Sequence, residues 1–375
     1  MNKKKIVFLT GTRADFGKLK SLMQKIENSK NFECYIFVTG MHTLSKYGST
    51  YTEVKKLGFE RIFIFMNQTH TTDPEIILSN TISGFSNFVK EIKPDMIVIH
   101  GDRIETLAGA ITGSFNNILV SHIEGGELSG TIDELIRHAV TKLSHIHFVS
   151  NNEAKKRLIQ MGEIKNHIFV IGSPDIDIMF SKDLPTLKDA KTHYDIPFEN
   201  YAIFIFHPVT TEIHLLESQI RKSVDALIES KKNYIIIYPN NDLGSDIILN
   251  EYERIKTANN FKIFPSIRFE YFLTLLKNSS FLIGNSSAGI RESEIYEVPT
   301  INIGSRQKNR TSNKNIINIP ADKNQILKSI KLSENKKIKK RSSFGDGMSS
   351  NRFFDLLSSP KLWNILIQKQ FVDIK

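Results

Sequence analysis

Thirteen residues, HIEGGELSGTIDE from His122 to Glu134, carry four carboxylates: Glu124, Glu127, Asp133 and Glu134. The stretch begins as the tail of an apolar run, ILVS, and breaks at Gly125 and Gly126. A further acid, Asp102, sits in HGDR at the end of another apolar run, PDMIVIH. Structural needs seldom gather several acids in one place, because like charges raise one another's pKa. A gathered set suits general acid–base chemistry, in which a carboxyl group takes and returns a proton. Plainer roles stand beside this one. Asp133 has the position of a helix N-cap, with Arg137 four residues on as an ion-pair partner. Glu124 has Arg103 and Arg137 as candidate partners. His100, His122 and His138 are near, but no HxxxH or HxH spacing within one element supports a metal site. HIH at 145–147 alternates, yet it opens a strand away from the acids and reads as structural.

Other polar clusters share this setting, each following a short apolar run: TGTRADFGK, TGMH, FHPVTT, YPNND, GNSSAGIRE and GSRQ. In open α/β sheets, ligands bind outside the carboxyl ends of strands. Together with HGDR and HIEGGE, the clusters point to one site assembled from both halves of the chain. Gly11-Thr12-Arg13 turns from strand to helix without GxGxxG or GxxxxGK[ST], which argues against the common dinucleotide and P-loop modes. Arg13 and Lys18 have the charge to hold phosphates or a sugar hydroxyl; the alternative is a pair of exposed cations at a capped helix start. In GNSSAGIRE, Asn285, Ser286 and Ser287 sit where a helix begins, and free N–H groups and hydroxyls there make an anion site. An ordinary serine N-cap is the simpler reading. Glu292, on the same helix, is expected within reach of a ribose, and Arg306, at the next strand end, can add a bidentate charge to a diphosphate. His207, before a proline, is either a phosphate donor or a satisfied loop histidine.

The elements that position these residues follow from periodicity. KKIVFLT, ECYIFVT, DMIVIH, ILVSHI, HIHFVS and IFVIG read as buried strands. Helical stretches separate them: Lys18–Asn28, Ile76–Glu91, Glu105–Phe115, Asp133–Leu143 and Glu153–Met161. The pattern pauses at GSPDIDIMF and resumes with YAIFIFH, NYIIIYP, FKIFP, SFLIGN, PTINIG and NIINIP. This predicts an α/β protein of two doubly wound, Rossmann-like domains facing each other across a cleft. The first spans 1–175 and carries the acids; the second spans 176–359. Lys336–Asn351 reads as a loop before a last helix near Pro360–Lys369.

Composition narrows the class. A chain of 375 residues favours two domains, and 40% hydrophobic with 24% charged residues makes it globular. The single cysteine, Cys34, excludes an intramolecular disulfide and suits a reducing cytoplasm. No apolar run approaches the roughly 18 residues of a membrane span. The net charge of +10 is spread along the chain without a nucleic-acid motif, so a polyanionic small molecule is the expected partner. KKIKKR at 336–341 reads as a solvated loop or helix end. A cytoplasmic homodimer or homotetramer is expected.

Taken together, TGTRADFGKLKSLM, VTGMH, IHGDR, HIEGGELSGTIDE with IRH, GSPD, FHPVTT, YPNND, GNSSAGIRE and GSRQ carry a resemblance. Over essentially its whole length the chain resembles the hydrolysing UDP-N-acetylglucosamine 2-epimerases of bacterial sialic-acid biosynthesis. The resemblance implies a glycosyltransferase-B-like fold whose last segment, about 360–375, packs back on the first domain. It implies cleavage of UDP-N-acetylglucosamine to UDP and N-acetylmannosamine, without metal or nicotinamide cofactor. By the same resemblance, Asp102, Glu124 and Asp133 are the catalytic acids. Arg13, Lys18, His42 and Arg137 line the sugar and phosphate region. Arg103, His207, Asn240, Ser286, Ser287, Glu292 and Arg306 hold the UDP part. Three alternatives stand beside it: the same chemistry on GDP-N,N′-diacetylbacillosamine, a glycosyltransferase of the same fold, and a non-catalytic sugar-nucleotide sensor.

Overall fold

In the computed structural model, which describes residues 3–69, 72–129, 132–307, 316–333 and 344–373, the run KKIVFLT becomes β1 (Lys4–Thr10). Its residues divide between two cores: Ile6 and Phe8 pack on one face, Val7 and Leu9 on the other. A strand covered on both faces needs no polar alternation, which is why these strands read as continuous apolar runs. The same split recurs in β4 (Met96–His100), where Met96 and Val98 join the first core and Ile97 and Ile99 the second.

Five more strands complete this sheet: β2 (Phe32–Val38), β3 (Arg61–Ile64), β5 (Leu119–Ile123), β6 (Ile146–Val149) and β7 (Ile168–Val170). All pairings are parallel, in the order β3-β2-β1-β4-β5-β6-β7. The order reverses between β1 and β4, the switch point at which loops diverge and leave a crevice. Strand β3 escaped the sequence reading. It is one edge of the sheet, starts at a charged residue, has no buried position and leaves Phe63 44% exposed, so it lacks the buried signature of the central strands.

The second sheet contains β8 (Ala202–Ile205), β9 (Tyr234–Ile237), β10 (Phe261–Phe264), β11 (Leu282–Gly284), β12 (Thr300–Ile303) and β13 (Ile316–Ile319). It too is parallel, in the order β10-β9-β8-β11-β12-β13, with its switch point between β8 and β11.

Each sheet belongs to its own compact unit. Unit 1 comprises Met1–Glu127, Asp133–Ser181 and Ser343–Lys375; unit 2 comprises Leu128–Ile132 and Lys182–Ser342. The division falls at Ser181, a few residues beyond the 175 read from sequence, and the return to unit 1 begins at Ser343, before position 360.

Two helices differ from the sequence reading. The first runs Arg13–Glu27 and so starts earlier than Lys18, because Thr12 and Asp15 form a reciprocal capping box. The last runs Ser349–Ser358 in place of Pro360–Lys369. Pro360 has no N–H to continue a helix and holds Ser359 extended (φ −81°, ψ 123°), so only a 3-10 turn, Pro360–Asn364, follows. This terminal segment completes the first core: Phe353 packs edge-on against Phe148 at 5.0 Å, and Trp363 stacks on Phe32 at 6.3 Å. The basic run 336–341 lies outside the described residues, as do Gly130 and Thr131 of the acidic motif. Among the described residues no helix is long and apolar enough to cross a membrane.

Candidate active site

In unit 1 the acids gather where β4 and β5 end. Glu124 follows β5 at φ +62°, a left-handed conformation that a glutamate adopts only against a steric cost. Its backbone is held on both sides: the N–H donates to Phe148 O at 2.9 Å, and the carbonyl accepts from Arg137 Nη1 at 2.7 Å. This turns the side chain inward, where it is 3% exposed. One carboxylate oxygen faces His100 Nε2 at 3.1 Å, and the other accepts from the Ser173 hydroxyl.

Arg137, from the helix Ile132–Leu143, joins the acids. Its second terminal nitrogen pairs with Asp102, just past β4. So the guanidinium expected to serve Asp133 goes instead to Asp102 and to the Glu124 carbonyl, which are brought close by strands that neighbour in the sheet. Asp133 lies in the first turn of the Arg137 helix, one turn earlier and hence on the same face. Asp102, Glu124, Asp133 and Arg137 are thereby assembled, with His100 and Ser173 as added partners. The acids themselves are legible in sequence; the role of Ser173, in GSPD, is not, because it reaches Glu124 across 49 residues.

At the β1 end, the backbone N–H groups of Gly11 and Thr12 donate to Asp15 at 3.0 and 3.2 Å. Those two donors are thus used internally, and any anion here would be met by side chains. Arg13 pairs with Glu53, and Lys18 with the fully buried Asp175 at 3.2 Å. The TxxD of the capping box was the sequence signal for Asp15. Arg103 lies 3.6 Å from Glu105, a 1% exposed carboxylate against the backbone of Gly11 and Gly40 that sequence reading passed over.

His42 does not reach a surface. It is 1% exposed, with Nε2 3.1 Å from Thr10 Oγ1 and Nδ1 2.7 Å from Thr50 Oγ1. Burial holds its pKa down to about 4, and burial likewise holds that of His122 down to about 3. Both folded values lie below the ordinary 6.5, so the unfolded chain binds more protons in this range. Stability is therefore whole above about pH 6.5 and falls as the pH drops toward 4, by about 1.4 kcal/mol per pH unit per group. The urea midpoint is expected to fall between pH 7 and pH 5; an unchanged midpoint would contradict the neutral assignment.

In unit 2, Asn285 ties three strand ends together. Its side chain accepts from His207 N at 2.7 Å and donates to His207 O at 2.9 Å. Its carbonyl accepts from Gln307 at 2.7 Å and from Arg306 Nη1 at 3.3 Å. Asn240 N donates to His207 Nδ1 at 3.1 Å, which leaves the neutral ring's proton on Nε2, the tautomer that donates to an oxygen anion. His207, Asn240, Asn285 and Arg306 are therefore brought together. The helix expected from Ser286 is broken into a 3-10 turn, Ser287–Gly289, and a short helix, Glu292–Ile295. Gly289 is a weak helix former, and Ser293 bonds back to its carbonyl at 2.7 Å while accepting from Thr300 Oγ1 at 2.8 Å. Ser286 caps Ala288 N at 3.3 Å, Ser287 is half-buried beside it, and Glu292 is buried. Unit 2 thus offers an anion side-chain donors more than a long helix terminus.

A family model described as UDP-N-acetylglucosamine 2-epimerase matches residues 24–358. The chain is 48% identical over 375 residues to a UDP-N-acetylglucosamine 2-epimerase of Neisseria meningitidis serogroup B, covering 99% of each. It is 33% identical over 372 residues to a UDP-N,N′-diacetylbacillosamine 2-epimerase (hydrolyzing) of Legionella pneumophila, covering 98% of each. The crystal structure of Methanocaldococcus jannaschii UDP-GlcNAc 2-epimerase in complex with UDP-GlcNAc and UDP matches with a TM-score of 0.80 at 22% identity, over 94% of this chain and 99% of that one. That last likeness is one of fold: two parallel-sheet, Rossmann-like domains.

Proposed function

This chain belongs to the UDP-N-acetylglucosamine 2-epimerase family, and from that premise we propose that it converts UDP-N-acetylglucosamine and water to N-acetylmannosamine and UDP, for sialic-acid synthesis. The observation that carries the substrate is the 48% identity, along the full length, to the Neisseria enzyme, against 33% to the diacetylbacillosamine enzyme.

The chemistry follows from what a sugar nucleotide needs. The C2 hydrogen is too weakly acidic to leave first. Departure of UDP builds positive charge at C1 and acidifies C2–H, so a carboxylate can remove the proton and leave a 2-acetamidoglucal. Water then adds at C1, and a proton returns to the opposite face of C2. Two faces call for at least two acid–base groups, and we assign these to the set Asp102, Glu124 and Asp133. The cations Arg13, Lys18 and Arg103 in unit 1, and His207 and Arg306 with Asn240, Ser286, Ser287 and Glu292 in unit 2, are assigned to phosphate, sugar and nucleoside recognition. Arg137 is assigned to hold the acids in place.

The test is incubation in D₂O with UDP-N-acetylglucosamine and, separately, with the UDP- and GDP-linked diacetylbacillosamine sugars, read by NMR. Free N-acetylmannosamine carrying deuterium at C2 is expected, with oxygen from labelled water on the sugar and none on UDP. Release of N-acetylglucosamine, or C2 keeping protium, rules out elimination. Faster turnover of a diacetylbacillosamine sugar moves the chain to that substrate.

A further inference from the structure

We propose that His100 is the conduit through which Glu124 exchanges its proton with solvent, an inference that rests on Glu124 acting as an acid–base residue of the proposed reaction. A buried acid–base group has to be reset at every turnover, because the proton that reaches C2 originates in water. Glu124 cannot readily swing outward to be reset. Its φ of +62° and the backbone bonds to Phe148 and Arg137 fix it from both sides, and its side chain is 3% exposed.

His100 and Ser173, one on each carboxylate oxygen, differ in what they can carry. Ser173 is 0% exposed and its hydroxyl donates to the carboxylate, so that side anchors Glu124 away from solvent. His100, 3.1 Å from the other oxygen, has a second ring nitrogen that can take a proton as the first gives one up, and it keeps 10% of its side chain in contact with solvent. The neighbouring His122 is not an alternative path. It is fully buried, with Nε2 2.8 Å from Gly101 O and Nδ1 3.3 Å from Thr141 Oγ1, and its pKa is pushed down to about 3 by burial.

The transfer balances without any outside reagent. In the delivering direction, water gives a proton to Nδ1, its hydroxide passing to bulk solvent, as Nε2–H passes to the Glu124 oxygen; exchange with water then returns the ring to its Nε2–H tautomer. Glu124 then holds the proton that moves to C2. The reverse sequence clears a proton taken from C2. Only O–H, N–H and C–H bonds change.

The experiment compares wild type with His100→Gln and His100→Ala. The glutamine amide can still donate to the carboxylate but cannot relay. We expect kcat in His100→Gln to fall by about tenfold or more, with KM and UDP affinity little changed, and the solvent isotope effect on kcat to rise. Added imidazole should restore part of the His100→Ala rate in proportion to its concentration. A role limited to orienting Glu124 predicts an active His100→Gln and an unchanged isotope effect, and either result overturns the relay; so does the absence of any imidazole response. Wild type in the same assay separates the two readings. An inactive wild type overturns both, whereas an active wild type with an unimpaired His100→Gln overturns the relay alone.

Discussion

Asp102→Asn, Glu124→Gln and Asp133→Asn are each expected to lower turnover by on the order of a hundredfold or more, the scale of acid–base groups, with UDP binding close to that of wild type. Each swap keeps size and removes the proton-accepting charge. The three differ in what else they disturb. Glu124→Gln retains a carbonyl oxygen for the Ser173 hydroxyl, so its loss should fall almost wholly on kcat. Asp102→Asn also removes the counter-charge of Arg137, whose side chain is 4% exposed. An arginine left uncompensated there is destabilising, so this variant should also lose thermal stability. Asp133, half-exposed in the first turn of its helix, should show the activity loss with little change in melting temperature. UDP release, UDP calorimetry and thermal melts on the three variants separate these terms. Any variant that keeps most of its activity leaves the acid–base set.

Gly284→Ala is expected to cost more than about 4 kcal/mol, beyond the usual range of single substitutions, and to abolish UDP binding with the loss of unit 2. Gly284 ends β11 at φ +127°, a conformation open essentially to glycine alone. A Cβ there would overlap the backbone carbonyl of Ile205 at the end of β8. That carbonyl accepts Asn285 N at 3.0 Å, so relief of the overlap parts the two strands at the switch point, where Asn285 also holds His207. Gly304→Ala is the control. Its φ is +80°, but nothing lies within 4 Å of the added carbon, so only the backbone strain of about 1 kcal/mol remains. Urea unfolding of both variants is the measurement, and a wild-type midpoint for Gly284→Ala would show that the strand ends are more yielding than their geometry implies.

The alternation of buried strands and helices is legible in the order of residues, because a parallel sheet covered on both faces writes each strand as an unbroken apolar run. Legible too is which polar residues end those strands, and hence which acids and cations are candidates for the site. Legibility ends where the signal is weak or the cause lies elsewhere in the chain. Strand β3 sits at an edge and is only partly buried. The helix expected near residue 360 lies earlier, at Ser349–Ser358, because Pro360, whose fixed φ suits a helix start, follows an extended Ser359 that ends one. Contacts were the larger omission. That Arg137 serves Asp102, that Ser173 and His100 hold Glu124, and that His42 is enclosed between Thr10 and Thr50 were decided by the tertiary structure alone. Sheet order sets which strand ends become neighbours, and nothing local to a strand records its place in the order β3-β2-β1-β4-β5. Side-chain pairing and burial at those ends follow only once the order is fixed.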